Sequence, residues 1–503
     1  MYETTGRAKF YKTLITIVLC SLSLVLVLPG QVRTQELAKD ARVAEALHLL
    51  EIWVEAQLAY ERIPGISMSV VHDQELVWSR GFGYSDLEKK TPTTPKTVYS
   101  ICSISKLFTS IAVLQLRDRG LLRLDDEVKQ HLAWFNIEET YKEDGPIIIE
   151  GLLTHSSGLP READFPYWTE AYFPAREKIV ERVSHQKTLY PARTHYQYSN
   201  LGLTLAGEIV AQVSGKSYAD YVKENILAPL GLADTSPEIP QALKGKQLAT
   251  GYGAFKRDGT RDTVPFFQVR GIAPAAGYAS TVEDLAKFAS WQFRLLENGD
   301  DEILNHNTLR DMHRVHWMDP NWRTTRGLGF SVWRSKDKTF VGHGGTCPGY
   351  RSNLTLRPEE KFAAVFMANT LGVRSRLFTQ RAYEIVAPAI AEALVSPDDA
   401  KQADEALTIY TGLYERPIGG ETAVITWKGG LAMVSLPTED PLERLTKLKH
   451  IDGHTFKRIR DDKELGEEIL FVVDEKSGQV IKMWQHNNYR IKIREHMLST
   501  IKR

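Results

Sequence analysis

The order of apolar and polar positions along the 503-residue chain predicts an α/β (α+β) protein. Between Glu36 and Tyr60, apolar residues recur three or four positions apart, which is typical of one face of a packed helix. The following runs, GISMSVV and ELVWSRGFGY, are rich in β-branched and aromatic residues. Only HDQ separates them, so they predict an antiparallel hairpin.

Three more strand patterns lie near residues 338 to 369, namely KTFVGHGG, RSNLTLR and KFAAVFMAN. The long stretch before them has mostly helical patterns, including NLGLTLAGEIVAQVSG and TVEDLAKFASWQFRLLENG. The simplest architecture is therefore a domain over residues 36–395, with an antiparallel sheet built from both ends and a helical subdomain inserted between them.

The last hundred residues show a different pattern. A helical run, FTQRAYEIVAPAIAEAL, is followed by polar residues that predict a linker over 396–407. Beyond it, short β-rich segments alternate with turn signals. Residues 408–503 therefore predict a small all-β domain of the barrel or sandwich type.

The N-terminus resembles a targeting segment. Arg7, Lys9 and Lys12 precede an uncharged apolar run from Leu14 to Gly30, which has the length of a signal peptide. Residues 1–30 therefore predict export to a periplasm or the extracellular space. The alternative is a retained N-terminal anchor, which would be the only membrane contact.

Composition narrows the choice of partners. Lys plus Arg and Asp plus Glu both number 63, so the formal net charge is zero and no strong field attracts nucleic acid. Three cysteines are too few for a disulfide scaffold, and no Cys or His spacing matches a metal site. We expect no metal, no organic cofactor and no nucleic acid, but a small-molecule or peptide substrate.

The segment TVYSICSISKLF contains the first candidate chemistry. Ser103 and Lys106 stand three apart where a helical pattern begins, so both side chains lie on one face. A desolvated lysine can take the proton of a serine hydroxyl, and the N–H groups of a helix start can stabilise an oxyanion. Alone, the pattern equally fits a serine cap beside a solvated lysine.

Two further motifs follow in the chain. Tyr198-Ser199-Asn200 opens a helical pattern, and His343-Gly344-Gly345 ends a strand. With Ser103-x-x-Lys106, this order resembles the serine β-lactamase and penicillin-binding protein superfamily, particularly class C β-lactamases, D-alanyl-D-alanine carboxypeptidases and related esterases. The stretches IEGLLTHSSGLP and PAAGYASTVEDLAKFA are also similar to this family. A lipocalin-like C-terminal module is compatible with it.

The resemblance implies a role for each matched residue. Ser103 is the nucleophile, while Lys106 and Tyr198 manage its proton, with the Tyr198 phenol ionising more easily beside an ammonium. Asn200 is expected to donate to Lys106 or to the substrate. The substrate and oxyanion set is Asn200, His343, Gly344, Gly345 and Thr346, with backbone N–H groups of Ser103 and Thr346 holding the oxyanion. The plain alternatives are a core tyrosine, a helix cap and a strand-end turn.

Some features bear on substrate. Penicillin-hydrolysing members mostly have lysine where this chain has His343, and a neutral imidazole is a weaker partner for the antibiotic's carboxylate. Arg351 is a candidate carboxylate ligand or a plain strand residue. The aromatic segment 161–178 is either a pocket wall or a packed loop.

The resemblance also brings Cys102 and Cys347 near each other. Two buried free thiols are the expectation, and a disulfide that braces the oxyanion hole is the alternative.

These features predict an exported serine hydrolase that cleaves an ester or amide, including a D-amino-acid peptide or a β-lactam, through an acyl-enzyme on Ser103. The alternative from another class is a catalytically silent sensor or assembly protein that binds peptidoglycan fragments or a protein partner.

Overall fold

The computed structural model describes residues 33–34, 37–396 and 404–494. The helices of this part are α1 (Ala41–Tyr60), α2 (Ser105–Asp118), α3 (Val128–His131), α4 (Ile149–Thr154), α5 (Tyr167–Glu170), α6 (Arg176–Val183), α7 (Asn200–Ser214), α8 (Tyr218–Val222), α9 (Ala273–Ala276), α10 (Val282–Asn298), α11 (His306–Met312) and α12 (Ser375–Val395). The mixed α/β class is confirmed.

The strands before α12 are β1 (Arg33–Thr34), β2 (Gly65–His72), β3 (Glu75–Asp86), β4 (Thr91–Pro92), β5 (Tyr99–Ser100), β6 (Ala279–Ser280), β7 (Trp317–Met318), β8 (Thr325–Arg326), β9 (Ser331–Ser335), β10 (Lys338–Cys347), β11 (Tyr350–Arg357) and β12 (Phe362–Ala368). Within the described residues the main sheet runs β1-β3-β2-β12-β11-β10-β9-β8-β7, with β4 beside β3. Its pairs are antiparallel except β1 with β3.

The sheet joins the two ends of the domain, as predicted. The β2–β3 hairpin forms at the expected place, and β12 pairs with β2 from Phe362 opposite His72 to Ala368 opposite Ile66. Helices α2 to α11 are inserted between these strands. Helix α1 begins at Ala41, within the predicted stretch that starts at Glu36, because the Asp40 side chain accepts from the Arg42 N–H and caps the helix.

Each face of the sheet covers a separate core. One core contains α2, α7 and α10, with Phe108 stacked on Tyr278 and Phe288. The other contains α1 and α12, with Trp53 against Phe378 at 5.0 Å between ring centroids. The sheet therefore separates the inserted helices from α1 and α12.

Residues 412–494 form a closed antiparallel barrel, which confirms the C-terminal all-β prediction. Its strands are β13 (Gly412–Glu415), β14 (Glu421–Trp427), β15 (Gly430–Leu436), β16 (Leu445–Asp452), β17 (Thr455–Ile459), β18 (Leu465–Val473), β19 (Val480–Gln485) and β20 (Asn488–Arg494). The barrel packs on the α1 and α12 face, where Thr438 O accepts from Trp53 Nε1 at 2.9 Å and from Gln57 Nε2 at 2.7 Å.

Two predicted segments fall largely outside the described residues. The signal or anchor over 1–30 lies outside them entirely. The linker over 396–407 lies mostly outside them, and its last residues enter a 3₁₀ helix, Glu405–Tyr410. Within residues 37–396 and 404–494, no helix is long and apolar enough to cross a bilayer.

Candidate active site

Ser103 lies in a 3₁₀ turn, Cys102–Ile104, and α2 begins only at Ser105. The predicted helix start at Ser103 is therefore two residues early. A 3₁₀ turn places residues i and i+3 in line, so Ser103 still faces Lys106. The Ser105 hydroxyl fixes the turn, because it donates to Cys102 O at 2.5 Å and accepts from the Tyr278 N–H at 3.0 Å.

Lys106 is the buried cation of the site. Its Nζ lies 3.2 Å from Ser103 Oγ, 2.8 Å from Asn200 Oδ1 and 2.7 Å from Ala275 O, and its side chain is fully buried. Burial holds the pKa of Lys106 well below its ordinary value, and the Arg161 and Arg326 charges act in the same direction. The amine is therefore suited to act as a base.

Tyr198 lies over Lys106, whose Nζ is 4.9 Å from the ring centroid. Burial raises the pKa of the phenol, and contact with the Ser103 hydroxyl opposes the rise. The expectation that Tyr198 ionises easily beside an ammonium is wrong, because burial raises the pKa of the phenol and also disfavours the ammonium form of Lys106. Tyr198 is a neutral phenol beside the serine.

Asn200 begins α7, where the Ser199 side chain caps the helix by accepting the Gly202 N–H at 2.8 Å. This cap directs the residues on either side of Ser199 into the site. The Asn200 carbonyl oxygen accepts from Lys106, which corrects the expected donation to the lysine. The Asn200 Nδ2 donates to Glu162 Oε1 at 2.8 Å.

The HGG motif lies on β10, directly over the nucleophile turn. A Cβ at Gly345 would lie 2.3 Å from Ile101 O and 2.1 Å from Ser352 Oγ, so only glycine fits. Pairing between β9 and β10 stops at Gly342 opposite Ser331. Among the described residues, no strand covers this edge of residues 343–347, so it is open to a substrate backbone.

His343 is a buried, neutral imidazole. Its Nδ1 donates to Gly344 O at 2.7 Å, and its Nε2 has no hydrogen-bond partner within the described residues. Burial, with the Arg326 and Lys106 charges, lowers the pKa of His343 to about 3. His343 does not provide the cation that a lysine would provide there.

A disulfide joins Cys102 and Cys347, whose Cα atoms are 5.7 Å apart. The expectation of two free thiols is wrong, because β10 crosses directly over the turn and brings the two cysteines within bonding separation. The bond links the residue before Ser103 to the residue after Thr346. The two proposed oxyanion donors therefore lie beside one covalent bridge.

Sequence reasoning missed two residues that surround the Tyr198 ring. The His155 ring lies 4.3 Å from the Tyr198 ring, and its Nδ1 accepts the Ser199 N–H at 3.2 Å. The Arg161 guanidinium lies 4.9 Å from the same ring. His155 belongs to the THSSGLP stretch, whose likeness to the family was the only available signal.

Arg326, on β8, was also missed. Its Nη2 donates to Tyr196 OH at 2.6 Å, its Nη1 contacts Ser331 Oγ, and its Nε is buried without a hydrogen-bond partner among the described residues. Its charge acts on Lys106 and His343. Within the described part of the chain no carboxylate pairs with it, so Arg326 brings an uncompensated positive charge to the site.

Packing shows the contacts of Arg351 and of the aromatic segment. Arg351 Nε donates to Val373 O at 3.1 Å and its Nη1 contacts Thr346 Oγ1, so Arg351 braces the strand. The aromatic segment 161–178 contains α5 and the start of α6 and is packed at its centre, with Tyr167 stacked on Phe173 at 5.2 Å. Its first two residues, Arg161 and Glu162, contact Tyr198 and Asn200, so this end of the segment lies at the site.

Comparisons with known proteins identify the family to which the chain belongs. The family model named Beta-lactamase matches residues 50–387. Beta-lactamase-like protein 2 of Dictyostelium discoideum is 29% identical over 372 residues, which cover 71% of this chain and 67% of that protein. Protein flp of Staphylococcus aureus is 26% identical over 322 residues, covering 63% of this chain and 61% of its own length. The chain thus spans less than two thirds of Flp.

A solved structure supports the fold over most of the chain. The octameric penicillin-binding protein homologue from Pyrococcus abyssi aligns with a TM-score of 0.59 and 25% identity, covering 88% of this chain and 99% of that one. With the family match over most of the chain, this shows that the protein belongs to the Beta-lactamase family of serine hydrolases.

Proposed function

We propose that the protein is an active hydrolase that cleaves an ester or amide through an acyl-enzyme on Ser103. The observation that carries this proposal is the contact of a fully buried Lys106 amine with Ser103 Oγ at 3.2 Å. Burial that disfavours the charged amine is the physical condition for a lysine to act as a general base.

The chemistry follows from these positions. Neutral Lys106 takes the proton of Ser103, and Oγ attacks the carbonyl carbon. The N–H groups of Ser103 and Thr346 hold the oxyanion, and the Tyr198 phenol donates a proton to the departing alcohol or amine while Lys106 returns one to the phenol. Water then attacks the ester on Ser103, releases the acid and restores the hydroxyl.

Arg326 favours substrates that carry a carboxylate. A guanidinium has five donors, and an uncompensated one beside the site attracts an anion more strongly than a neutral group. Because His343 is neutral, Arg326 takes over the electrostatic role of the family's lysine. This supports a peptidase or carboxypeptidase activity over cleavage of neutral esters.

Steady-state hydrolysis tests both statements. The substrates are p-nitrophenyl acetate, a peptide ending in D-Ala-D-Ala, the same peptide as its C-terminal amide, and a chromogenic cephalosporin. We expect Ser103→Ala to abolish every activity. We expect the free-carboxylate peptide to exceed its amide at least tenfold in kcat/KM. Arg326→Gln removes this preference, and Arg323→Gln, at an exposed neighbour, keeps it.

Two results would contradict the proposal. Equal rates for wild type and Ser103→Ala would exclude a mechanism through an acyl-enzyme on Ser103. No turnover of any substrate by folded wild type would favour the silent binding protein instead.

We also propose that the protein is exported. The Cys102–Cys347 disulfide suits an oxidising compartment, and the apolar run Leu14–Gly30 suits a targeting segment. Cell fractionation with thiol labelling should find oxidised protein outside the cytosol. Reduced protein in the cytosol would contradict export.

A further inference from the structure

Glu162, on the loop before α5, is connected to Lys106 through the hydrogen bonds of Asn200. Glu162 Oε1 accepts from Asn200 Nδ2 at 2.8 Å, and Asn200 Oδ1 accepts from Lys106 Nζ at 2.8 Å. Glu162 Oε2 accepts from Tyr167 OH at 2.5 Å, and Arg161 Nε lies 3.1 Å from Oε1. Glu162 is thus held on both oxygens.

The chemistry of these groups fixes the direction of each hydrogen bond. A carboxylate can only accept, so the NH₂ group of Asn200 must face Glu162 and its carbonyl oxygen must face Lys106. The reversed amide would leave two acceptors facing each other at Glu162. It would also present donors to the lysine amine.

The direction of the Asn200 amide controls the electron pair of the lysine. A neutral amine has two N–H donors and one lone pair. Asn200 Oδ1 and Ala275 O are both acceptors and take the two donors, so the lone pair is left facing Ser103 Oγ. Only this arrangement allows Lys106 to accept the serine proton.

We propose that Glu162 is a positioning residue that fixes the Asn200 amide and thereby aims the lone pair of Lys106 at Ser103. The inference rests on the proposed function of Ser103 as the nucleophile. Glu162 does not touch the substrate in this proposal, since it acts through Asn200. Its side chain is 19% exposed, which keeps the bond to Asn200 largely away from solvent.

The Glu162 charge also faces Lys106 across the site. Lys106 is surrounded by Arg161, Arg326, His155, His343 and Tyr198. Burial is the largest cause of its low pKa, and Glu162 is the carboxylate that opposes this effect. Removal of the Glu162 charge should therefore lower the pKa of Lys106 further, so the acid limb of the reaction moves to lower pH.

The test is the rate of Ser103 labelling by a fluorophosphonate as a function of pH. We expect Glu162→Ala to lower the plateau rate about tenfold, the cost of losing one well-placed hydrogen bond, and to shift the acid limb to lower pH. Glu162→Gln keeps an acceptor oxygen and the side-chain volume, so it retains most of the plateau rate and shows the same shift. Glu170→Gln, an exposed acid at the end of α5, matches wild type.

A double-mutant cycle separates positioning from a plain structural effect. If Glu162 acts through Asn200, Glu162→Ala lowers the plateau rate no further in an Asn200→Ala background. Additive losses, or an equal loss at every pH without a shifted limb, would overturn the proposal. Wild-type labelling with unchanged Glu162 variants overturns this inference alone, whereas absence of wild-type labelling overturns the proposed function as well.

Discussion

Reduction of the Cys102–Cys347 disulfide should weaken both the fold and the proposed oxyanion hole. The bond spans a sequence separation of 245 residues. The chain-entropy relation for a closed loop of this length gives an upper value of about 5.5 kcal/mol, and disulfides commonly contribute about 2–4 kcal/mol. We expect a loss of about 3 kcal/mol on reduction, which lowers the Tm by about 3 °C for a chain of 503 residues.

The same change should slow catalysis, because the bond holds the backbone beside Ser103 and Thr346. Loss of one complete oxyanion donor costs about 100-fold or more in kcat, so a loosened donor should cost about tenfold. Thermal unfolding and kcat are measured with and without a phosphine reductant. A Cys102→Ala/Cys347→Ala variant should match reduced wild type and should not respond to the reductant.

Two results would refute this reasoning. The first is two free thiols at these positions in unreduced, denatured protein. The second is an oxidised wild type whose Tm and kcat do not change on reduction.

Three further predictions concern other parts of the molecule. Gly345→Ala places a Cβ 2.3 Å from Ile101 O, so it should lower both Tm and kcat by forcing β10 away from the nucleophile turn. An unchanged kcat would contradict the close approach of β10 to this turn. Because burial holds the pKa of Lys106 well below its ordinary value of 10.5, kcat/KM should reach its plateau well below pH 10.5 and fall as the pH drops through the lowered Lys106 pKa. A pH profile that rises only near 10.5 would contradict a depressed lysine pKa. Trp53→Ala removes a fully buried indole between α12 and the barrel, so it should lower the free energy of unfolding by about 3–5 kcal/mol. The kcat/KM of the folded protein should stay unchanged. A lower kcat/KM at unchanged stability would contradict the separation of the two cores.

Short-range patterns predicted the fold well. Several elements have an apolar periodicity of their own, so each could be predicted from its local sequence. These are the hairpin before residue 87, the strands from 338 to 369 and the helices α7, α10 and α12. Boundaries were less accurate at α2, where the 3₁₀ turn at Ser103 has the same side-chain spacing as a first helical turn.

The residues that surround the candidate active site could not be predicted from local sequence patterns. Glu162 and Arg326 lie far from Lys106 in the chain, and neither has a motif of its own. Glu162 reaches the site through the path of the loop before α5, and Arg326 reaches it from the short strand β8. Tertiary packing alone determines both positions. The low pKa of Lys106, the high pKa of Tyr198 and the disulfide depend likewise on burial and on chain crossing.

The most direct test of the central claim is mass spectrometry of the intact protein quenched during turnover of p-nitrophenyl acetate, followed by peptide mapping. The account predicts an acetyl group on Ser103 that forms in wild type, is absent from Ser103→Ala, and persists in Ser184→Ala, a change at a partly exposed serine far along the chain from the motif. An acetyl group on another residue, or turnover that continues without Ser103, would contradict the claim.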